Sequence, residues 1–453
     1  MNIAPRHNLI ERLSAQVPRY TSYPTAPHFH AGVAAETYGD WLRAIPAGTG
    51  ISLYLHIPYC DRLCWFCACN TRQTRQYGPV RRYLERLHRE IGTIARTVGP
   101  DVFVKSVHYG GGSPTMLKPE DIVTLDRQLR AAFRFDRAPE ISVEIEPNDM
   151  DEARFDALAE IGMTRVSLGV QDFDPKVQKA INREQDFALT QRAVVGARSR
   201  GVRSVNLDLV YGLPHQTCES VENTIREALR LEPDRIALFG YAHVPWFKKH
   251  QTMIDEAWLP GAEERLAQSQ SAAAAIVATG YEAIGLDHFA KPDDSLAAAM
   301  HSGRMRRNFQ GYTDDEGEVL LGLGASSIGR LPQGYVQNSP ATGEYERLVG
   351  ENGLAAVRGY AFTEEDRARA WVIERLMCDF EFSPAALTSA FPDQAAEILA
   401  DAQHIAATDE SVVFDPRGDR FGVTEIARPL VRTVAAGFDT FLKKGVARHS
   451  AAV

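Results

Sequence analysis

From residue 50 onward the chain alternates short apolar runs with longer amphipathic stretches. The runs at 50–57, 102–109, 140–146, 164–170, 203–210 and 234–240 read as strands. Between the first two, Val80, Tyr83, Leu84, Leu87, Ile91, Ile94, Ala95 and Val98 recur at i, i+3 and i+4 and predict a helix with one apolar face. The next helix is expected to begin near Pro119, with Glu120 and Asp121 in the first turn, where acidic side chains suit the helix dipole. Six strand–helix units in succession predict an α/β fold with a parallel sheet and right-handed crossovers, hence an open partial barrel. After an Ala-rich helix near 261–279, Tyr281–Leu286 is expected to extend the sheet edge. Past about residue 335 the rhythm changes. Helices are predicted at 363–380 and 393–407, a hairpin about the turn Asp415–Asp419, and a final helix at 425–443. Residues 1–49 have no strong period, and three prolines between Pro18 and Pro27 favour an extended strap. The chain thus divides into an N-terminal strap (1–49), a partial barrel with its extension (50–335) and a mainly helical C-terminal domain with a β-hairpin (336–453).

Composition adds exclusions. At 453 residues, 44% hydrophobic and 24% charged, the chain suits a globular protein with a large core. No apolar stretch of about 18 residues appears and the first seven residues hold no apolar leader core, so no membrane span and a cytoplasmic, thiol-reducing setting are expected. A net charge of −9 argues against general nucleic-acid binding. A winged-helix reading of the C-terminal hairpin fails for want of a basic stripe, and a substrate lid fits better. Any carboxylate-rich ligand needs local basic groups; Arg304, Arg306 and Arg307 form one cluster, and Lys248 and Lys249 another.

The densest chemistry lies in Cys60-Asp-Arg-Leu-Cys64-Trp-Phe-Cys67-Ala-Cys69, which holds four of the six cysteines. Thiolates are soft anionic donors suited to iron–sulfur clusters or zinc. Structural zinc draws ligand pairs from separated segments, whereas these four thiols crowd one loop after a predicted strand, which favours a cluster with three gripped corners. Cys218 and Cys378 stand alone and read as free buried thiols. The next strand ends in Tyr109-Gly-Gly-Gly-Ser-Pro-Thr115, whose glycines allow close backbone approach and whose N–H groups could bind a carboxylate. Tyr54 and His56 share one strand face, as do Glu144 and Glu146. Asp208, inside an apolar run, needs a polar partner or a ligand; pairing with Arg183 is one such account.

The C-x3-C-x2-C spacing with Phe66 before the third cysteine resembles the radical S-adenosylmethionine (SAM) superfamily. The added Cys67-Ala-Cys69, the Arg19-Tyr-Thr-Ser-Tyr-Pro24 string and Gln171 with Arg183 resemble the oxygen-independent coproporphyrinogen III oxidases. Those motifs run in family order from about residue 18 to 440. The resemblance implies a partial (β/α)6 radical SAM barrel and a 4Fe–4S cluster on Cys60, Cys64 and Cys67, with Cys69 in another, catalytic role. It also implies two SAM sites. Tyr54, Phe66, Gly111, Glu144 and Ile328 correspond to the first, and Gly112, Ser113, Gln171, Arg183, Asp208 and Ala242 to the second. Glu144, Phe309 and Gln310 fall near the reacting centre. The implied activity is anaerobic oxidative decarboxylation of two propionates of coproporphyrinogen III to vinyls by a 5′-deoxyadenosyl radical, giving protoporphyrinogen IX. A monomer is expected, served by a one-electron donor such as flavodoxin or ferredoxin and by a final electron acceptor that the sequence does not identify. A radical-SAM-like haem chaperone and a haem-degrading radical SAM methyltransferase are the alternatives on the same scaffold.

Overall fold

The computed structural model describes residue 12 and residues 15–442. The leader reading of the first seven residues and the end of the expected final helix at 443 lie outside them. Twelve strands form one sheet, numbered here in chain order: β1 (Gly50–Ile57), β2 (Phe103–Gly111), β3 (Arg134–Ile145), β4 (Arg165–Gln171), β5 (Ser204–Tyr211), β6 (Arg235–Gly240), β7 (Glu282–Ile284), β8 (His288–Ala290), β9 (Val319–Leu323), β10 (Ile328–Leu331), β11 (Gly334–Asn338) and β12 (Ala356–Ala361). Their order across the sheet is β12-β11-β10-β9-β1-β2-β3-β4-β5-β6-β8-β7.

The six predicted strands are present and pair in parallel. A seventh, β9, joins them in parallel on the far side of β1 and was not anticipated, because its short Val-Leu-Leu-Gly-Leu run follows a hairpin rather than a crossover helix. Antiparallel strands extend both ends. β7 lies within Tyr281–Leu286, as expected at an edge. The sheet runs across residue 335 to Ala361, its pairing having already turned antiparallel between β9 and β10.

Alternation along each strand sorts the chain by face. Ile51, Leu53, Leu55 and Ile57 of β1 join the main core beneath the helices, together with Val80, Tyr83, Leu84, Leu87, Ile91 and Ile94 of the helix Tyr77–Val98. Ala95 and Val98, expected on that face, are only half-buried near its end. The other strand face carries polar residues into the barrel: Tyr54 and His56, His108, Glu144, Ser167 and Asp208. The opposite end of this interior is closed by ion pairs, with Arg165 bridging Glu140 and Asp314, and Arg235 bridging Asp294 and Asp314.

A second core forms from the helices Glu364–Asp379 and Ala395–Thr408, the hairpin Val412–Asp415 with Arg420–Val423, and two strap residues, Tyr20 and Tyr23. The expected final helix is interrupted. A 3-10 segment, Glu425–Leu430, contains Pro429, and only Val431–Ala436 continues as α-helix, because proline lacks the N–H that a regular helix needs. The strap ties the two cores together. Arg19 donates to the carbonyl of Gly240 (3.0 Å), Tyr20 to Asp439 (3.0 Å), and Arg432 to the carbonyl of Val17 (2.7 Å). Of the two lone cysteines Cys378 is buried, whereas Cys218 begins the helix Cys218–Leu229 and is only half-buried.

Candidate active site

The cysteine loop follows β1 and is closed at its base by a two-residue parallel ladder, Tyr59–Cys60 with Arg72–Gln73. Side chains from later segments hold its backbone: Asn182 on the carbonyl of Leu63 (2.9 Å), Gln251 on Phe66 (2.8 Å), His250 on Cys67 (2.6 Å) and Lys248 on Cys69 (2.8 Å). Lys248, which reads from sequence as part of a candidate propionate-binding cluster, is thus engaged with the loop.

Cys60, Cys64 and Cys67 line one cavity of about 190 Å³ with Phe66, Gly112, Ser113, Gln171 and Arg183. A larger chamber of about 670 Å³ fills the barrel and is lined by Tyr54, His108, Phe309, Gln310 and Ile328 among others. Cys69, Gly111, Glu144, Ser167 and Asp208 line both. Cys69 is the one cysteine of the loop on that shared wall; it keeps solvent contact although protein surrounds it, because it faces the cavity. The Cys69 amide lies 3.4 Å from Cys67 Sγ, and donation from the Cys69 thiol and amide lowers the Cys67 thiol, whereas burial raises Cys60 and Cys64.

The glycine loop departs from expectation. Its N–H groups are not free: Gly111 donates to Glu144 (3.0 Å), Gly112 to the carbonyl of Ile57 (2.8 Å) and Ser113 to that of Tyr59 (2.8 Å). What the glycines supply is clearance. Gly111 has φ +116°, and a Cβ there would stand 2.7 Å from the His56 ring. That ring is fixed on both sides, Nε2 donating to the carbonyl of Asn70 (2.9 Å) and Nδ1 accepting from Tyr54 (3.0 Å). Ser113 Oγ bonds Thr115 (3.1 Å) and Asp149.

Glu144 accepts from Gly111 and from His108 Nε2 (3.0 Å). Burial raises its pKa, but the His108 bond and charge outweigh that and leave it below the ordinary value. His108 was not anticipated; its place two residues before the first glycine, on the inward face of β2, was the available signal. Asp208 accepts from Ser167 (2.9 Å) and Asn206 (2.8 Å), and burial pushes its pKa up to about 6. It is not paired with Arg183. Arg183 instead pairs with Glu146 (2.5 Å), donates to the carbonyl of Gly169 (2.7 Å) and lies 3.5 Å from Cys64 Sγ. Glu146, expected only to share a strand face with Glu144, is the counter-ion of that arginine. A Cβ on Gly169 would stand 2.7 Å from Arg183 Nη2, so glycine there makes room for the guanidinium. Gln171 sits beside it with φ +68°. Ala242 lines neither cavity; its carbonyl accepts from Gln251 (3.2 Å).

The donor set suits an iron–sulfur cluster. Three soft thiols face one cavity, and a buried guanidinium beside Cys64 offsets thiolate charge. Among the described residues no three donors converge closely enough for a single ion. Ligands to three corners of a cluster stand apart by its own width.

Residues 54–228 match the Radical SAM superfamily. The chain is 47% identical to an oxygen-independent coproporphyrinogen III oxidase of Paracoccus denitrificans (strain Pd 1222), over 98% of this chain and 99% of that one. It is 40% identical to an oxygen-independent coproporphyrinogen III oxidase of Pseudomonas aeruginosa PAO1, covering 96% and 95%. Its fold superposes on the solved structure of coproporphyrinogen III oxidase (HemN) from Escherichia coli, a radical SAM enzyme. The TM-score is 0.89 at 37% identity, covering 94% of this chain and all of that one.

Proposed function

The chain belongs to the family of oxygen-independent coproporphyrinogen III oxidases and is a radical SAM oxidoreductase; from that premise we propose how its residues divide the reaction. The substrate is coproporphyrinogen III. Each of two propionates gives up a hydrogen atom from the carbon next to the macrocycle, then carbon dioxide and one electron, leaving a vinyl group and yielding protoporphyrinogen IX. The electron passes to an external acceptor. Cys60, Cys64 and Cys67 would hold the 4Fe–4S cluster, which with SAM supplies one-electron cleavage of a sulfonium and so a hydrogen-abstracting carbon radical.

The remaining residues position and shield. Glu144, kept ionised by His108 and Gly111, offers carboxylate oxygens to the amine or ribose of the first SAM, beside Tyr54, Phe66 and Ile328. Arg183, Asp208, Gln171, Gly112 and Ser113 form the polar side of a second SAM site, to which the Ala242 backbone is also assigned through Gln251, the residue that its carbonyl shares with Phe66. Phe309 and Gln310 face the barrel chamber, where the macrocycle would sit away from water. A one-electron donor such as flavodoxin or ferredoxin, monomeric action and a cytoplasmic setting complete the proposal; no helix among the described residues is long and apolar enough to cross a membrane.

The observation that carries this reading is Cys69 on the wall shared by the thiol cavity and the chamber. The test is anaerobic turnover with an electron acceptor supplied. Wild-type protein should form methionine, 5′-deoxyadenosine and, through a one-vinyl intermediate, a product lacking two carboxyls. Cys69→Ser should keep its iron but lose porphyrinogen turnover, while Cys64→Ala should lose the cluster. If SAM is cleaved with no change in porphyrinogen mass while haem binds tightly, the protein is a chaperone.

A further inference from the structure

On the outer face of β6 and β8 lies another cavity, about 400 Å³, that shares no lining residue with either chamber of the active site. Alternation along β6 separates them: Ala237 and Phe239 face the barrel, Leu238 and Gly240 face this cavity. The helix Ala262–Val277 forms one side, and the strap and C-terminal segment close the rest.

Its charge is one-sided. Arg19, Arg265, Arg307, Arg428 and Arg432 line it, and Asp287 is the acid on the same lining, already bonded to His288 (2.7 Å). Arg307 is 8% exposed and its guanidinium lies over the Tyr312 ring (4.4 Å), but its Nε and Nη1 make no hydrogen bond; its third nitrogen, Nη2, lies 3.4 Å from the carbonyl of Arg19. Arg265 gives Nη2 to the carbonyl of Tyr241 (2.7 Å) and leaves Nε unpartnered. Room is kept for that guanidinium, since a Cβ on Gly212 would stand 2.9 Å from its Nη1. Burial first, and then the charges of Arg19 and Arg307, push Arg432 down to about 9.

Buried donors without acceptors are costly, and several guanidiniums turned on one space suit an oxyanion. The facing wall is apolar: Leu238, Leu286, Phe289 and Phe380. We propose that this cavity binds an amphipathic oxyanion, its charged head on Arg307 and Arg265 and its apolar body against that wall. The site shares no lining residue with the catalytic chamber, although Arg307 lies over the ring of Tyr312, which lines that chamber.

The test uses full-length, cluster-loaded protein and the fluorescent aromatic sulfonate 1-anilinonaphthalene-8-sulfonate. One equivalent should bind with a rise in fluorescence, and decanoate should displace it. Arg265→Gln, which removes a head contact, and Ala274→Trp, which fills the cavity, should each weaken that binding at least tenfold. Reductive SAM cleavage measured on the same samples should be retained, which separates loss of the site from misfolding. Unchanged probe affinity in both variants overturns the proposal, as does displacement by pyrophosphate as strong as by decanoate, which would reduce the site to a headgroup patch.

Discussion

Replacing Arg183 by Met tests how one ion pair shapes the thiol cavity. Arg183 and Glu146 meet at 2.5 Å with side chains only 10% and 18% exposed. Two unit charges with centres about 4 Å apart attract by on the order of 4 kcal/mol at an effective dielectric constant of 20. Removing one member of a buried pair costs about 3–5 kcal/mol, because the other charge is left without compensation. Arg183→Met should therefore destabilise the protein by that amount and strand the Glu146 carboxylate beside the cavity. Arg183→Met with Glu146→Gln strands no charge and should recover about 2 kcal/mol of the loss. The assay is anaerobic urea unfolding of cluster-loaded wild-type, single and double variants, with stability differences taken from midpoints at constant slope. Equilibrium dialysis on the same samples should give two SAM per chain for wild type and one for both variants that lack Arg183. Strictly additive single effects would refute the pair as the organising contact, and two SAM retained in Arg183→Met would refute its place in the second site.

Two further substitutions probe the supporting structure. Glu90 is fully buried, accepts from Gly324, Asn338 and Tyr345, and burial raises its pKa from 4.5 to about 7. Its contribution to stability is complete below pH 4.5 and is lost as pH rises through about 7, by about 3 kcal/mol in total. Glu90→Gln should remove that one-proton slope from melting curves between pH 4.5 and 7, and an unchanged slope would count against it. Gly111→Ala forces a Cβ against a His56 ring that cannot yield and puts alanine at φ +116°; it should cost about 1–3 kcal/mol. It should also weaken SAM binding at least tenfold in anaerobic dialysis, and wild-type affinity would show that the loop relaxes.

Strand positions were legible because each is a short apolar run set between longer amphipathic stretches. The thiol cluster was legible because four cysteines share one loop. Partner choice across the barrel was not. Arg183 finds Glu146 rather than Asp208 through strand register and a glycine at 169, neither of which local pattern reveals. The glycine loop reads as a row of open N–H donors until the backbone is seen to return them to β1 and Glu144. β9 escaped because it reaches the sheet without a crossover helix, and the arginines of the outer cavity converge from four separate stretches of chain.

Beyond the local ladder at its base, the side chains that hold the carbonyls of Leu63, Phe66, Cys67 and Cys69 are Asn182, Gln251, His250 and Lys248, all more than a hundred residues downstream. During synthesis the thiols therefore leave the ribosome long before the groups that fix their spacing. The loop takes its final shape only once the chain past Gln251 has emerged and the barrel has closed behind it. The frame for the cluster is thereby tied to synthesis past the middle of the chain, and a nascent or truncated chain that stops short of residue 248 presents four thiols without the full set of bonds that fixes them in place.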